Sequence, residues 1–363
     1  MTRIPPETVP GGRPPAHSGA DAELRALVRA VGCRPAWLTV TLVGVGAVVL
    51  PAVDSPLAVP TWLRYLPLTA SLVLFGLPHG AVDHLAPTRA AGRPTSARSM
   101  AAVGLVYLGL GTGYAALWVV APVASAALFV ALTWLHWGQG DLYALDALGS
   151  THLDGAGVRA GTVLVRGGLP MLVPLFRFPD RYRAVVDAWV ALFGRDLDAA
   201  WLVAPDVRAA LALSFGALTV ATLVAGYRRR GAGGGWRLDA AETALLWGYF
   251  LVVPPLVAVG IYFCVWHSLR HIARLIGVDD DARTAFGERG VLAALVRTGI
   301  DAAPLTAVSI LLLAGVAVVV GIDADTRMLA ALYLVFIAVL TLPHVAVVTW
   351  MDRAEGAALG RKQ

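Results

Sequence analysis

Apolar runs long enough to cross a lipid bilayer recur along this chain, and they limit its possible folds more than any other feature. Crossing the hydrocarbon core takes roughly 18 to 20 apolar residues in a helix. Such runs fill most of the sequence from residue 36 to residue 352, and 58% of all 363 residues are hydrophobic. We therefore predict an all-α, polytopic transmembrane helical bundle with roughly 8–10 membrane segments.

Six of the eight histidines lie within or at the ends of these runs, where an ionisable side chain is costly unless it has a partner. They are His79, His84, His136, His267, His271 and His344. His267 and His271 are one helical turn apart, so both imidazoles leave the same helix face and can share one ion. The pattern predicts a metal site inside the bundle. Its best-placed ligands are His79, His136, His267 and His271.

The apolar runs also place the membrane segments. They cover about residues 36–53, 66–85, 100–120, 123–137, 158–176, 207–227, 240–276, 300–320 and 328–350. The stretch 240–276 contains Pro254 and Pro255, and we expect it to bend there into two segments. Such a bend places His267 and His271 on the same side of the membrane as the other histidines, as a shared metal ion requires.

Two carboxylates lie close in sequence to the proposed ligands. Asp83 is four residues after His79, and Asp141 is five residues after His136. A metal-bound imidazole usually donates its second ring N–H to a carboxylate or carbonyl, and these aspartates could accept it from histidines on neighbouring helices. Simple hydration at a helix end remains the alternative for both.

The other two intramembrane histidines suit different roles. His84 lies about 140° around a regular helix from His79, so we expect it to support a ligand or line a substrate cavity rather than bind the same ion. His344 follows Pro343 in an otherwise apolar run. We expect His344 to line the cavity, to tune a ligand or simply to pack.

The available donor groups limit the choice of metal. Four neutral imidazoles suit Fe(II), copper or zinc, and the scarcity of carboxylates disfavours magnesium or calcium. Cys33 and Cys264 are far apart and form no CxxC pair, so they predict neither a disulfide framework nor a thiolate site. Spacing alone does not choose among the three metals.

Four blocks of the sequence carry a resemblance to a known family. They read FGLPHGAVDH at 75–84, WLHWGQGD at 134–141, WHSLRHIARL at 266–275 and LPHVAVV at 342–348. In these blocks and their order, the chain resembles the Brp/Blh family, the bacteriorhodopsin-related membrane β-carotene 15,15′-dioxygenases. The likeness covers about residues 60–350 and does not include the N-terminal tail.

The resemblance implies an enzyme that cleaves the central double bond of β-carotene with O₂ and gives two molecules of all-trans-retinal for a rhodopsin. It implies one Fe(II) held by four histidines, which by motif are His79, His136, His267 and His271. No catalytic acid, base or nucleophile is expected beyond the metal centre. Supporting or substrate-lining roles are expected for Asp83, His84, Asp141 and His344. The implied partners are β-carotene, O₂ and the lipid bilayer, with no nucleic acid.

Two other functions remain open from the sequence. Another membrane non-haem iron oxidase or hydroxylase acting on lipids or carotenoids would need several histidine boxes, and only His267 and His271 form one here. A transporter or a rhodopsin assembly factor would instead use the histidines as a proton or metal relay.

The arginines set the expected orientation in the plasma membrane. A cytoplasmic N-terminus places the arginines of residues 89–98 and 228–237 inside, as the positive-inside rule prefers. The net charge of +5 therefore reports topology rather than nucleic-acid binding. We expect residues 1–35 to form a disordered or amphipathic cytoplasmic tail, residues 36–352 the transmembrane catalytic domain, and residues 353–363 a basic cytoplasmic tail.

Overall fold

The computed structural model of the protein describes residues 16–52, 61–230, 234–322 and 325–358. Within these ranges the regular secondary structure is helical, and no strand occurs. The first helices are α1 (Ala16–Leu27), α2 (Arg34–Ala52), α3 (Thr61–Ser71), α4 (Gly76–Ala81), α5 (Ala86–Ala90), α6 (Ala97–Val120), α7 (Pro122–Ala147) and α8 (Ala156–Arg177). They are followed by α9 (Pro179–Ala191), α10 (Pro205–Arg229), α11 (Gly235–Val252), α12 (Pro255–Ile261), α13 (Ser268–Val278), α14 (Asp280–Arg289), α15 (Val291–Val320) and α16 (Thr326–Ala358).

A polytopic helical bundle is confirmed. In the described parts of the chain, seven helical stretches are long and apolar enough to cross a membrane. They are Asp21–Leu50, Ala97–Val120, Ala156–Arg177, Pro205–Arg229, Pro255–Val278, Val291–Val320 and Thr326–Glu355. Helix α7, with 26 residues, and α11, with 18 residues, also reach spanning length. Their polar side chains, which include His136 and Glu242, reduce their apolar character.

The expected bend in residues 240–276 is confirmed. Helix α11 ends at Val252. Val253 and Pro254 are extended, and a new helix starts with Pro255 in its first turn. Proline suits this position because the first N–H groups of a helix have no intrahelical acceptor. The new helix runs from Pro255 to Val278. It passes through a π-helical segment, Tyr262–His267, which ends on the first histidine of the pair.

The predicted span over residues 66–85 is wrong, because this stretch is not one helix. It is divided among α3, α4 and the turns that precede and follow α4. A side chain at Gly76 would place its Cβ 2.5 Å from Ser71 Cβ and 2.7 Å from Phe263 Cε1, so the backbone turns back closely on itself here. Irregular backbone at membrane depth is tolerated where protein encloses it. The short helix α4 thereby carries His79 into the bundle.

The sequence predicts a disordered or amphipathic tail over residues 1–35, and the described part of this segment is helical. Residues 16–33 form α1 and a π-helical turn, and α2 follows directly. Leu27, Val28 and Val31 are fully buried, and a Cβ at Gly32 would lie 3.2 Å from the Cα of Arg270. Disorder is therefore wrong for this part, because the segment packs on the helix that carries the histidine pair. Residues 1–15 and 359–363 of the two predicted tails lie outside the described residues.

Helices α7 and α8 approach each other very closely through two glycines. A Cβ at Gly167 would lie 1.8 Å from the carbonyl oxygen of Trp134, and one at Gly138 would lie 2.1 Å from the carbonyl oxygen of Val163. The indole of Trp134 also donates a 2.8 Å hydrogen bond to the Leu164 carbonyl. Small residues allow such contacts between membrane helices. The contact fixes the part of α7 that carries His136.

Candidate active site

Five imidazoles meet in the interior of the bundle. His79 comes from α4, His136 from α7, His267 and His271 from the helix over residues 255–278, and His344 from α16. All five side chains are buried. The centroid distances are 5.4 Å for His79–His267, 5.5 Å for His79–His271, 5.1 Å for His79–His344, 4.9 Å for His136–His267, 4.8 Å for His136–His344 and 5.3 Å for His271–His344. The structure thus brings the four sequence-predicted ligands together and adds His344.

The ring spacing suits a shared metal ion. An imidazole nitrogen binds a first-row metal at about 2.1 Å, which places the centroids of two rings on one ion about 5 Å apart. In the described residues, no three His, Cys, Asp or Glu side chains are already arranged to hold an ion. Rotation about the soft χ2 torsion turns both ring nitrogens and hardly moves the centroid, so rings at this spacing can turn their nitrogens towards one point.

Several ring nitrogens have no hydrogen-bond partner. Both nitrogens of His136 and the Nε2 atoms of His267, His271 and His344 are buried and unpaired. A buried polar atom without a partner carries a desolvation cost, so such atoms need an explanation. Neutral imidazole nitrogens are the donors that iron, copper and zinc accept. The residues present therefore fit a transition-metal ion.

The imidazole of His344 is oriented by a carboxylate. The Nδ1 atom of His344 lies 2.7 Å from Oδ2 of Asp83, and the hydroxyl of Tyr107 donates to the same oxygen at 2.5 Å. A carboxylate only accepts hydrogen bonds, so Nδ1 carries the proton and Nε2 is left as a free electron-pair donor. Asp83 thus supports a histidine on another helix, α16. Sequence reasoning missed Tyr107, because nothing in its local pattern connects it with Asp83.

Asp141 does not contact the histidine cluster in the way the sequence predicts. Its carboxylate lies 3.0 Å from Arg270 Nη1 and accepts a 3.0 Å hydrogen bond from the indole of Trp266, and none of its observed partners is a histidine of the cluster. The prediction that Asp141 supports a ligand is therefore wrong in this structure. The physical reason is that two buried guanidinium groups, those of Arg166 and Arg270, attract the carboxylate.

Asp141 belongs to a fully buried ionic network. Arg166 and Arg270 both pair with Glu242, at 2.5 and 2.6 Å, and Arg166 also pairs with Asp239 at 3.2 Å. His152 lies 3.0 Å from Asp239. Buried charges require partners of this kind. The signal available in the sequence was the presence of Asp239 and Glu242 at the start of an apolar run, but their partners are far away in the chain.

An apolar cavity of about 590 Å³ adjoins the histidine cluster. Its volume falls within the usual range for small-molecule sites. His79, His136, His267 and His344 line one part of it, and His84 lines it as well. The Nδ1 atom of His84 lies 3.0 Å from the Ala81 carbonyl, away from the cluster contacts. His271 instead borders a small void of about 30 Å³, whose lining includes Arg270, Arg274 and Asp352. His136 and His267 border both spaces.

Comparison with known proteins shows the family of the chain. A family model described as "Beta-carotene 15,15'-dioxygenase" matches residues 70–352, which is more than half of the chain. The chain belongs to the β-carotene 15,15′-dioxygenase family. No solved structure matches it.

Two relatives of this family extend the match over most of the chain. The probable β-carotene 15,15′-dioxygenase Blh of Halobacterium salinarum is 53% identical over 336 residues, which make up 92% of this chain and 96% of that protein. The probable β-carotene 15,15′-dioxygenase Brp of the same species is 34% identical over 319 residues, or 82% of this chain and 86% of that protein. The predictions of the Brp/Blh family and of a carotenoid-cleaving enzyme are confirmed.

Proposed function

We propose that this enzyme cleaves the 15,15′ double bond of β-carotene in the apolar cavity, at an iron(II) ion held by the histidine cluster. The observation that carries the proposal is that one wall of an apolar cavity is built of imidazoles. The reaction balances without a further reductant, because each of the two retinal molecules receives one oxygen atom of O₂. The ligands assigned by motif are His79, His136, His267 and His271.

The protein and the metal contribute differently to this reaction. The contribution of bound iron is the activation of O₂. The cavity wall binds the polyene by apolar contact and excludes water. Trp137 and Phe263, whose rings lie 18° from parallel at 6.1 Å, provide flat apolar surfaces next to His267. Trp137 itself lies 5.5 Å from the ring of His267.

The proposed activity is tested by expression in a host that accumulates β-carotene. We expect loss of colour and formation of retinal, and we expect neither with His136→Ala, although the variant inserts into the membrane. Unchanged pigment with well-expressed wild-type protein and added iron would refute the activity. Retinal formation by inserted His136→Ala would refute the role of the cluster.

We propose that His344 belongs to the metal centre as well. Its ring lies within 5.3 Å of three others, and Asp83 fixes its tautomer with Nε2 free. His84 is a matched control, because it lines the same cavity outside the cluster. We expect His344→Ala to lower iron affinity by about 10- to 100-fold, the usual effect of changing groups close to a metal. His84→Ala should leave iron affinity unchanged, and equal affinities of the two variants would contradict this role.

We propose further that the enzyme lies in the plasma membrane with a cytoplasmic N-terminus, and that a retinal-binding rhodopsin uses its product. The orientation is supported by Arg89, Arg93 and Arg98, which are close together in the chain around the start of α6, because the positive-inside rule places such a group in the cytoplasm. The rhodopsin follows from the Brp/Blh resemblance. The side chain at position 93 is exposed, so Arg93→Cys should react with a membrane-impermeant thiol reagent only after cell lysis. Labelling in intact cells would contradict the orientation.

A further inference from the structure

Most of the described residues that line the apolar cavity are buried or half-buried. Of the described residues that line it, those with exposed side chains or backbone come from two helices only. They are Met100 and Gly104 on α6, and Pro304, Leu305 and Val308 on α15. A cavity reaches the outside where its lining residues are exposed. The opening of this cavity therefore lies between α6 and α15.

Packing of the two helices agrees with an opening at this place. Helix α6 packs on α7 and α16, and α15 packs on α4 and α14, whereas α6 and α15 make little contact with each other. Both are long and apolar enough to span a membrane. Their outer surfaces around the opening are apolar, as shown by the exposed side chains of Leu105 and Leu311. The opening therefore faces lipid rather than water.

The gap is kept wide on the α6 side by a glycine. A Cβ at Gly104 would meet no atom within 4 Å. Glycine inside a helix costs about 0.5–1 kcal/mol relative to alanine, and here it leaves free space in the cavity wall. Tyr107, about one turn further along α6, also lines the cavity and holds Asp83. The opening thus lies about one helical turn from the support of His344.

We propose that a lipid-soluble polyene reaches the histidine cluster sideways from the bilayer, through a portal formed by Met100 and Gly104 of α6 and by Pro304, Leu305 and Val308 of α15. This inference rests on the proposed function and names the route of its substrate. A hydrocarbon of this kind partitions into lipid, so a lateral portal supplies it without passage through water. The five portal residues offer no charge that would have to be desolvated.

A tryptophan at Gly104 tests the portal. Its side chain would fill the free space, and we expect the rate of retinal formation in β-carotene-containing vesicles to fall by about tenfold or more. Gly109→Trp is the matched control. Gly109 lies on the same helix, is exposed, has no neighbouring atom within 4 Å of a Cβ and does not line the cavity. Retinal formation by Gly104→Trp at the rate of Gly109→Trp would overturn the portal. Inactivity of both the control and the wild type would instead refute the proposed function.

Reversible chemical modification of a cysteine tests the portal within one folded sample. Val308→Cys places a thiol on the exposed rim, and the native thiols of Cys33 and Cys264 are buried. Modification with benzyl methanethiosulfonate should slow retinal formation, and dithiothreitol should restore it in the same sample. Val319→Cys is the control, because Val319 is 87% exposed and lies about 16 Å further along α15 on a similar face. Complete modification of position 308 with an unchanged rate would overturn the portal.

Discussion

Replacement of Gly167 by alanine should displace the helix that carries His136. The added Cβ would lie 1.8 Å from the carbonyl oxygen of Trp134, whereas ordinary van der Waals contact begins at 3.4 Å. Helices α7 and α8 must therefore separate locally by about 1.6 Å, because a backbone carbonyl within a helix cannot rotate away. His136 is two residues from Trp134, so its imidazole moves with this part of α7.

The substitution is expected to lower both the stability and the activity of the enzyme. Overpacking of this kind costs about 1–3 kcal/mol, which a large helical bundle can tolerate. A displacement of about 1 Å in a reacting geometry can cost 100-fold in rate. We expect inserted Gly167→Ala to form retinal about 100-fold more slowly than the wild type and to bind iron more weakly.

A second alanine on the same helix is the control. Gly157 is exposed, and a Cβ there would meet no atom within 4 Å. Gly157→Ala should keep full activity and gain up to about 1 kcal/mol of stability from helix propensity. Retinal formation and thermal unfolding in detergent are measured for both variants. If Gly167→Ala matches Gly157→Ala in both, the close contact of α7 and α8 does not position His136.

Two further predictions concern the buried polar contacts. Asp83→Ala removes the acceptor for both His344 and Tyr107, so we expect iron affinity to fall by about 10- to 100-fold in chelator competition; an unchanged affinity would show that this support is dispensable. Glu242→Ala removes one of the two carboxylates that the buried Arg166 and Arg270 share, and it should cost about 3–5 kcal/mol in thermal unfolding. Asp146→Ala is the control. It removes the half-exposed partner of Arg159 and should cost about 0–1 kcal/mol. Similar losses for these two variants would contradict the energetic role of the network.

The bend at Pro254 shows how far sequence reasoning reaches in this fold. The sequence predicts this bend because proline lacks an N–H and because His267 and His271 must lie on the same side of the membrane as the other proposed ligands. The span over residues 66–85 was wrong for a complementary reason. Its apolar composition suits a membrane helix, but the turn at Gly76 depends on Ser71 and Phe263 packing against it. Phe263 is distant in sequence, so no local pattern reports this contact.

The sequence by itself determined the helical class, the family and the positions of the histidines, because hydropathy, helical spacing and short motifs are local properties. Only the tertiary structure decided which groups meet. Asp83 pairs with His344 across 261 residues, and Trp37 donates to Glu242 across 205 residues. The same holds for the opening between α6 and α15. Such contacts are fixed by helix packing. Because packing depends on all the neighbouring helices, no periodic pattern in the sequence reports these contacts.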